Sequence, residues 1–155
     1  MTRRVLFSIL VLGLLVAPVS AILAQDMMMT MGPVGASQHP TLGYILTDAG
    51  GVTVYTWQGD TMGAETSNCY DACAGAWPPF LVDEMATMEM EMMSMMPMGF
   101  GAIVRNDMTY QLTYSGWPLY YFVRDMAPGD ANGEGSMGFG ARWSVVTLDP
   151  MMMGM

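Results

Sequence analysis

A six-residue pattern occurs twice in this chain, as Tyr55-Thr56-Trp57-Gln58-Gly59-Asp60 and as Tyr120-Tyr121-Phe122-Val123-Arg124-Asp125. Each copy reads Tyr-x-aromatic-x-x-Asp, and each follows a glycine-containing turn, Gly50-Gly51 or Ser115-Gly116. The residues ahead of the turns recur as well, Tyr44-Ile45-Leu46-Thr47 matching Tyr110-Gln111-Leu112-Thr113. An internal duplication on this scale predicts one compact unit built from two similar halves.

The runs around the motif are β-type. Leu42 to Thr47 and Val52 to Trp57, separated by Asp48-Ala49-Gly50-Gly51, carry a hairpin signal. Tyr110 to Thr113 and Trp117 to Val123 repeat it with a turn one residue shorter. Further strands are expected at Ala102 to Val104 and Ser144 to Leu148. Glycine turns, short strands and little helical periodicity predict a mainly β fold, a small antiparallel β domain from two degenerate repeats with a short helical turn at the cysteines. Repeat one is placed at 42–82 and repeat two at 99–149, within one domain over 42–149.

The N-terminus has Arg3-Arg4, an apolar run from Val5 to Ala17 and small residues at Ser20, Ala21 and Ala24. A basic start, an apolar stretch too short to span a bilayer and a small-residue stop read as a signal peptide over 1–24, cut after Ala21 or Ala24. The chain is therefore expected to be secreted, periplasmic or at the cell surface, with no stable membrane span after cleavage. Residues 25–41 are rich in Met, Gly, Ser and Pro without periodicity and are expected to be a disordered lead-in.

Charge narrows the partners. Arginine is the only strongly basic residue type, and the chain holds 5 basic against 14 acidic residues for a net charge of −9. Such a surface repels phosphate backbones and speaks against nucleic-acid binding. Envelope proteins or a cation fit it better.

With the doubled motif, the segment Cys69-Tyr70-Asp71-Ala72-Cys73-Ala74-Gly75-Ala76-Trp77-Pro78-Pro79 and the run Gly116-Trp117-Pro118-Leu119-Tyr120-Tyr121-Phe122, the chain resembles the bacterial secreted repeat family. Its members are predicted lipoproteins named for a Tyr-x-(Phe/Trp/Tyr)-x-x-Asp motif. The resemblance runs from Leu42 to Asp149 apart from a methionine-rich insert. It implies export and a duplicated β-rich unit, and it brings no established molecular function. This chain departs from the family in having no cysteine after its apolar leader and in its excess of methionine.

Candidate site residues fall into three groups. In a strand, residues two apart share a face, so Tyr55 pairs with Trp57 and Tyr120 with Phe122, while Asp60 and Asp125 lie past the strand ends. One reading makes these a packed aromatic pair with a turn-stabilising acid; the other makes them a pseudo-symmetric ligand site, provided both acids face one cleft. Cys69 and Cys73 form the second group. An even cysteine count in an exported chain favours a disulfide, with a thiolate pair for a soft metal and a redox pair as alternatives.

The third group is methionine, 21 residues in all. The insert at 83–98 carries Met85, Met88, Met90, Met92, Met93, Met95, Met96 and Met98, and the tail at 150–155 is Met-rich too. Soft, neutral thioethers suit Cu(I) or Ag(I). The leading functional expectation is a secreted envelope binding module holding Cu(I) through these methionines. The alternatives are a structural or interaction module of the envelope without metal chemistry, and a methionine oxidant sink. Deleting 85–98 is expected to leave the β domain folded. His39, the one histidine, reads as a lone solvated side chain. Asp125, Asp130, Asn132 and Glu134 offer alternating oxygen ligands, short of a full calcium loop. No nucleophile–base set, phosphate loop or paired catalytic acid is visible, and the chain is not expected to be an enzyme.

Overall fold

A computed structural model describes residues 29–85, 87–88 and 99–149. The expected signal peptide at 1–24, the tail at 150–155 and Met90, Met92, Met93, Met95, Met96 and Met98 lie outside the described residues. The described chain is mainly antiparallel β, with a short helix at Ala72–Ala76 and further helical residues at 84–85 and 87–88. In order it runs β1 (Met29–Met31), β2 (Val34–His39), β3 (Gly43–Asp48), β4 (Tyr55–Trp57), α1 (Ala72–Ala76), β5 (Leu81–Val82), β6 (Phe100–Val104), β7 (Tyr110–Tyr114), β8 (Trp117–Pro118), β9 (Met137–Gly138) and β10 (Ala141–Val145).

Three small sheets result. β1, β2 and β3 form a meander, β10 lies between β4 and β9, and β7 lies between β5 and β6 with β8 also paired to it. The turn after β3 forms as expected: the Asp48 carboxylate accepts the Gly50 and Val52 amides at 2.8 and 2.9 Å, a side-chain turn typical of Asp. The second run does not stay beside β3 as one strand. Thr53 and Val54 keep contact with β3, and then Tyr55 to Trp57 pair with Val145 to Trp143 of β10. The strand changes sheets because its aromatic end is drawn into the centre of the molecule.

The lead-in expectation is corrected. Residues 29–39, within the stretch expected to be disordered at 25–41, pair as β1 and β2, with β2 registered against β3 from Val34↔Asp48 to His39↔Gly43. The reason lies in the duplication, which extends further than the motif. β6 sits on β7 in the same way, with Phe100↔Tyr114, Gly101↔Thr113 and Ala102↔Leu112, so Val34-Gly35-Ala36 answers Phe100-Gly101-Ala102. Val34 is fully buried and Phe100 nearly so, which gives β2 an apolar anchor despite its polar end. His39 caps the β2–β3 turn, its Nδ1 accepting the Thr41 and Leu42 amides at 3.3 and 3.2 Å.

The halves are exchanged as well as repeated. Phe80, from repeat one, accepts the Leu112 amide at 2.9 Å and donates to the Leu119 carbonyl at 2.8 Å. Val146, from repeat two, accepts the Leu46 amide at 2.8 Å and donates to the Val54 carbonyl at 3.2 Å. Each repeat thus lends a strand residue to the other. One core cluster is made of the corresponding pairs Val34 and Phe100, Leu46 and Leu112, Val54 and Leu119, Val146 and Phe80.

Residues 83–99 connect β5 to β6. β5 and β6 flank β7 and are both antiparallel to it, hence parallel to each other. The connection between them must cross from one end of β7 to the other. It joins the repeats, and a chain lacking 85–98 would have only residues 83, 84 and 99 with which to make that crossing.

Candidate functional site

The two motifs meet at the centre of the molecule through their backbones. Tyr55 N–H donates to the Tyr120 carbonyl at 2.8 Å and Tyr120 N–H donates to the Tyr55 carbonyl at 3.0 Å, a reciprocal pair that marks a local two-fold relation. Strand alternation then decides the side chains. Tyr55 and Trp57 are buried on one face with Thr56 between them half-buried. Tyr120 is fully buried, and Tyr121, facing the other way, reaches Asp48 at 3.4 Å.

The acids are used crosswise. The Tyr120 hydroxyl donates to Asp60 Oδ2 at 2.6 Å, and the Tyr55 hydroxyl donates to Asp125 Oδ2 at 2.6 Å. The other oxygen of each acid accepts a backbone amide further along its own loop, Asn68 N–H at 2.7 Å for Asp60 and Asn132 N–H at 2.9 Å for Asp125. The two asparagines return the favour: their side-chain amides donate to the carbonyls of Gly59 and Arg124, at 2.9 and 3.3 Å. Each motif acid therefore closes its own loop and clamps the other motif's tyrosine. The acids are bound to different tyrosines in two corresponding places, and the structure gives each a full set of partners within the protein.

Burial sets the electrostatics. Desolvation raises the Asp60 carboxyl above its ordinary range, against the lowering effects of the Asn68 amide, the Tyr120 hydroxyl and nearby Arg105. Burial foremost, then the hydrogen bond to a carboxylate, raises the phenols of Tyr55 and Tyr120 far above their usual value. These tyrosines are held neutral as donors.

Between the tyrosines runs a column of four rings. Trp57 stacks on Trp143 at 5.3 Å, Trp143 on Trp77 at 3.9 Å with planes 1° apart, and Trp77 on Phe122 at 4.2 Å. The outer rings come from the motifs, and each packs on the tryptophan of the opposite repeat. Tyr55 meets Trp77 edge-on at 5.3 Å, and Tyr120 meets Trp143 edge-on at 5.2 Å. Each such aromatic contact adds about 0.5–1.5 kcal/mol beyond burial. Both Trp57 and Trp143 donate their indole N–H to the Gly138 carbonyl at 3.2 Å.

The loops that deliver Trp77 and Trp143 are fastened differently. In repeat one Cys69 and Cys73 form the expected disulfide, Cα–Cα 5.2 Å, with Cys73 in α1 and Cys69 just ahead of it. Asp71, inside this loop, takes a left-handed φ of 50°, a backbone cost that the bridge holds in place. The bond excludes a thiolate metal pair in this state. In repeat two Glu134 does the fastening: it accepts the Val145 amide at 2.7 Å and Arg142 at 3.1 Å. Of the oxygens considered for calcium, Asp130 accepts the Met126 and Ala127 amides. Among the described residues no group of three or more His, Cys, Asp or Glu is placed to hold a metal ion.

Several residues of this centre had no motif to announce them. Asn68 and Asn132 follow the acids at offsets of eight and seven residues, a difference that hides the correspondence. Ser67 bonds Tyr120 at 2.7 Å and the Cys69 amide at 2.9 Å. Arg105 is buried against Gln111 and the Cys69 carbonyl, with its guanidinium 4.4 Å from the Tyr70 ring. Gly59 matters because the Trp57 ring folds back over it: an added Cβ would lie 2.2 Å from Trp57 Cζ2. Repeat two has the smaller Phe122 and carries Arg124 at that position.

Met85 and Met88, the two described members of the methionine group, are exposed, 70% and 54%. Among the described residues no helix is long and apolar enough to cross a membrane.

A family model described as a secreted repeat of unknown function matches residues 38–80 and 101–147, one segment in each half and together more than half of the chain. No curated protein and no solved structure matches the chain. The two matched segments each contain one copy of the Tyr-x-aromatic-x-x-Asp motif, and the chain belongs to this secreted repeat family.

Proposed function

We propose that this secreted chain is a binding module for soft metal ions, Cu(I) foremost, that holds them on the thioethers of Met85, Met88, Met90, Met92, Met93, Met95, Met96 and Met98 and carries out no catalysis. The observation that supports the reading is the distribution of methionine. Every methionine whose side chain is described lies at the surface: Met62, Met85, Met88, Met108, Met126 and Met137 are all exposed. Methionine is ordinarily among the buried residues, yet the described core clusters are built without it, from aromatic, Leu, Val and Ile side chains and the Cys69–Cys73 disulfide. Packing therefore does not account for these thioethers. Neutral sulfur donors select soft cations, and the acidic surface draws cations in without offering soft donors that compete. A periplasmic or cell-surface location suits such a role.

The test is competition with a chromophoric Cu(I) chelator, using the full chain and a variant with the eight methionines changed to Leu. That substitution keeps length and bulk and removes sulfur. Binding should favour Cu(I) and Ag(I) over Zn(II), persist in mildly acidic buffer, and vanish in the Leu variant and after oxidation to sulfoxide. Equal Cu(I) binding by both proteins, or by neither, would remove the metal reading. Peroxide consumption without metal uptake would put the oxidant sink in its place, and absence of both would leave a structural or interaction module of the envelope.

A further inference from the structure

The repeats are each other's binding partners. Phe80 completes repeat two and Val146 completes repeat one. The Tyr120 hydroxyl bonds Asp60, the Tyr55 hydroxyl bonds Asp125, and the column alternates repeats at the contacts Trp57 with Trp143 and Trp77 with Phe122. A single repeat left to itself exposes Trp, Tyr and Phe rings and an unsatisfied strand edge. Its complementary surface is the opposite repeat, and nothing in the contacts requires that repeat to come from the same chain.

The connection decides which copy supplies it. Val82 lies opposite Tyr110 and Phe100 opposite Tyr114, on the two sides of β7. Four residues along the strand are about 14 Å and two inter-strand steps about 10 Å, so the ends to be joined are about 17 Å apart. Residues 83–99 cover this with slack. Val82 joined directly to Gly99 would reach Phe100 in two Cα steps, about 7 Å. A chain with so short a connection has no means of closing its own two repeats.

We propose that the repeat-to-repeat face is an interaction surface for a second copy of this chain, and that the length of the 83–98 segment selects between pairing within one chain and exchange of repeats between two. With its natural connection each repeat meets its own partner at a local concentration on the order of millimolar, and the chain closes on itself. When the connection cannot span β7, two copies exchange repeats. In the dimer each Asp60 clamps Tyr120 of the other copy, and the disulfide remains within repeat one. The proposal is independent of metal binding, since the methionines enter it only as connecting length.

Three versions of the full chain test this. Deletion of 83–98 should double the mass seen by analytical ultracentrifugation, with both cysteines still blocked. Replacement of 83–98 by an equally long Gly/Ser segment should keep the monomer. A third version carries a protease site within 89–98 and is cleaved after folding; its two pieces should stay together at micromolar concentration and exchange with tagged pieces. A folded monomer from the deletion variant would overturn the spanning argument. If that variant fails to fold, the cleaved chain decides: pieces that stay together and exchange support the proposal, and pieces that separate in native buffer overturn it.

Discussion

Tyr120 and Asp60 lie sixty residues apart in sequence and share a 2.6 Å hydrogen bond in the buried centre of the molecule. The acid belongs to one motif and the phenol to the other, so the bond ties the copies together. Asp60 is 6% exposed and also holds the Asn68 amide. Asp60→Ala takes the acceptor from the Asn68 amide and leaves the buried Tyr120 hydroxyl with Ser67 alone, and it is expected to cost about 2–3 kcal/mol, since a hydrogen bond to a charged group contributes about 1.5–3. This exceeds the value of about 1 kcal/mol that a turn-capping acid would give. Asp125→Ala should cost less, because Asp125 is half-buried, the Asn132 amide it leaves is exposed, and the buried Tyr55 hydroxyl keeps its bond from the Gly133 amide. Urea unfolding of the two variants checks the order; equal losses would show that the two clamps do not differ in burial.

Rising pH should act on these clamps with one sign in both the acid and the alkaline window, lowering stability in each. The folded-state value of Asp60 is raised above 3.8, so between that pH and the raised value the folded chain binds more protons than the unfolded one. Stability contributed by this group therefore falls as pH rises through the window, and it is regained on acidification. Asp60→Asn should flatten that part of the curve. The phenols of Tyr55, Tyr120 and Tyr121 are raised above 10.0 in the fold, so above pH 10 the unfolded chain ionises first and stability is lost again. Phenolate absorbance from Tyr55, Tyr120 and Tyr121 should therefore appear together with unfolding. A smooth titration of all the phenols in folded protein would contradict the buried donors.

The duplication made the strands around each motif legible, since Tyr44 to Thr47 and Tyr110 to Thr113 share both pattern and turn. The same logic stopped short at β2. Gly35-Ala36 and Gly101-Ala102 are a second pair of matching dipeptides, but two small residues beside a methionine-rich stretch carry little hydrophobic period. The disulfide was legible from an even cysteine count in an exported chain, and it closes with Cys69 just ahead of α1. The crosswise use of Asp60 and Asp125 was not. A strand period says which face a side chain takes, and it says nothing of which copy of a repeat lies across from it. The swap of Phe80 and Val146 has the same cause, since it depends on chain topology and leaves no local mark.

Close packing around two glycines gives a direct check on the ring column. An added Cβ at Gly59 would lie 2.2 Å from Trp57, and one at Gly133 would lie 2.6 Å from Trp77 and 3.0 Å from Tyr55. The obstructing atoms belong to rings locked by stacking, so they have little room to give. Gly59→Ala and Gly133→Ala are each expected to cost about 1–3 kcal/mol, as overpacking does. Gly75→Ala, where a Cβ would meet nothing within 4 Å, should be tolerated and serves as the control. Thermal unfolding compares the three; a Gly133→Ala protein as stable as the parent would mean that the rings are not fixed in this stack.

The disulfide and Glu134 fasten the two loops whose tryptophans stack at 3.9 Å, and their effects should therefore be coupled. Replacing both cysteines with Ser loosens the delivery of Trp77. Glu134→Ala frees Arg142 and leaves the Val145 amide without its acceptor, loosening Trp143. Each ring loses part of its stacking whichever partner moves, so the second change has less left to disrupt. A double-mutant cycle should give an interaction of at least about 0.5 kcal/mol, with the combined loss smaller than the sum of the single losses. If the losses add within about 0.3 kcal/mol, as distant sites do, each loop holds its tryptophan independently and the column is not the path by which one repeat feels the other.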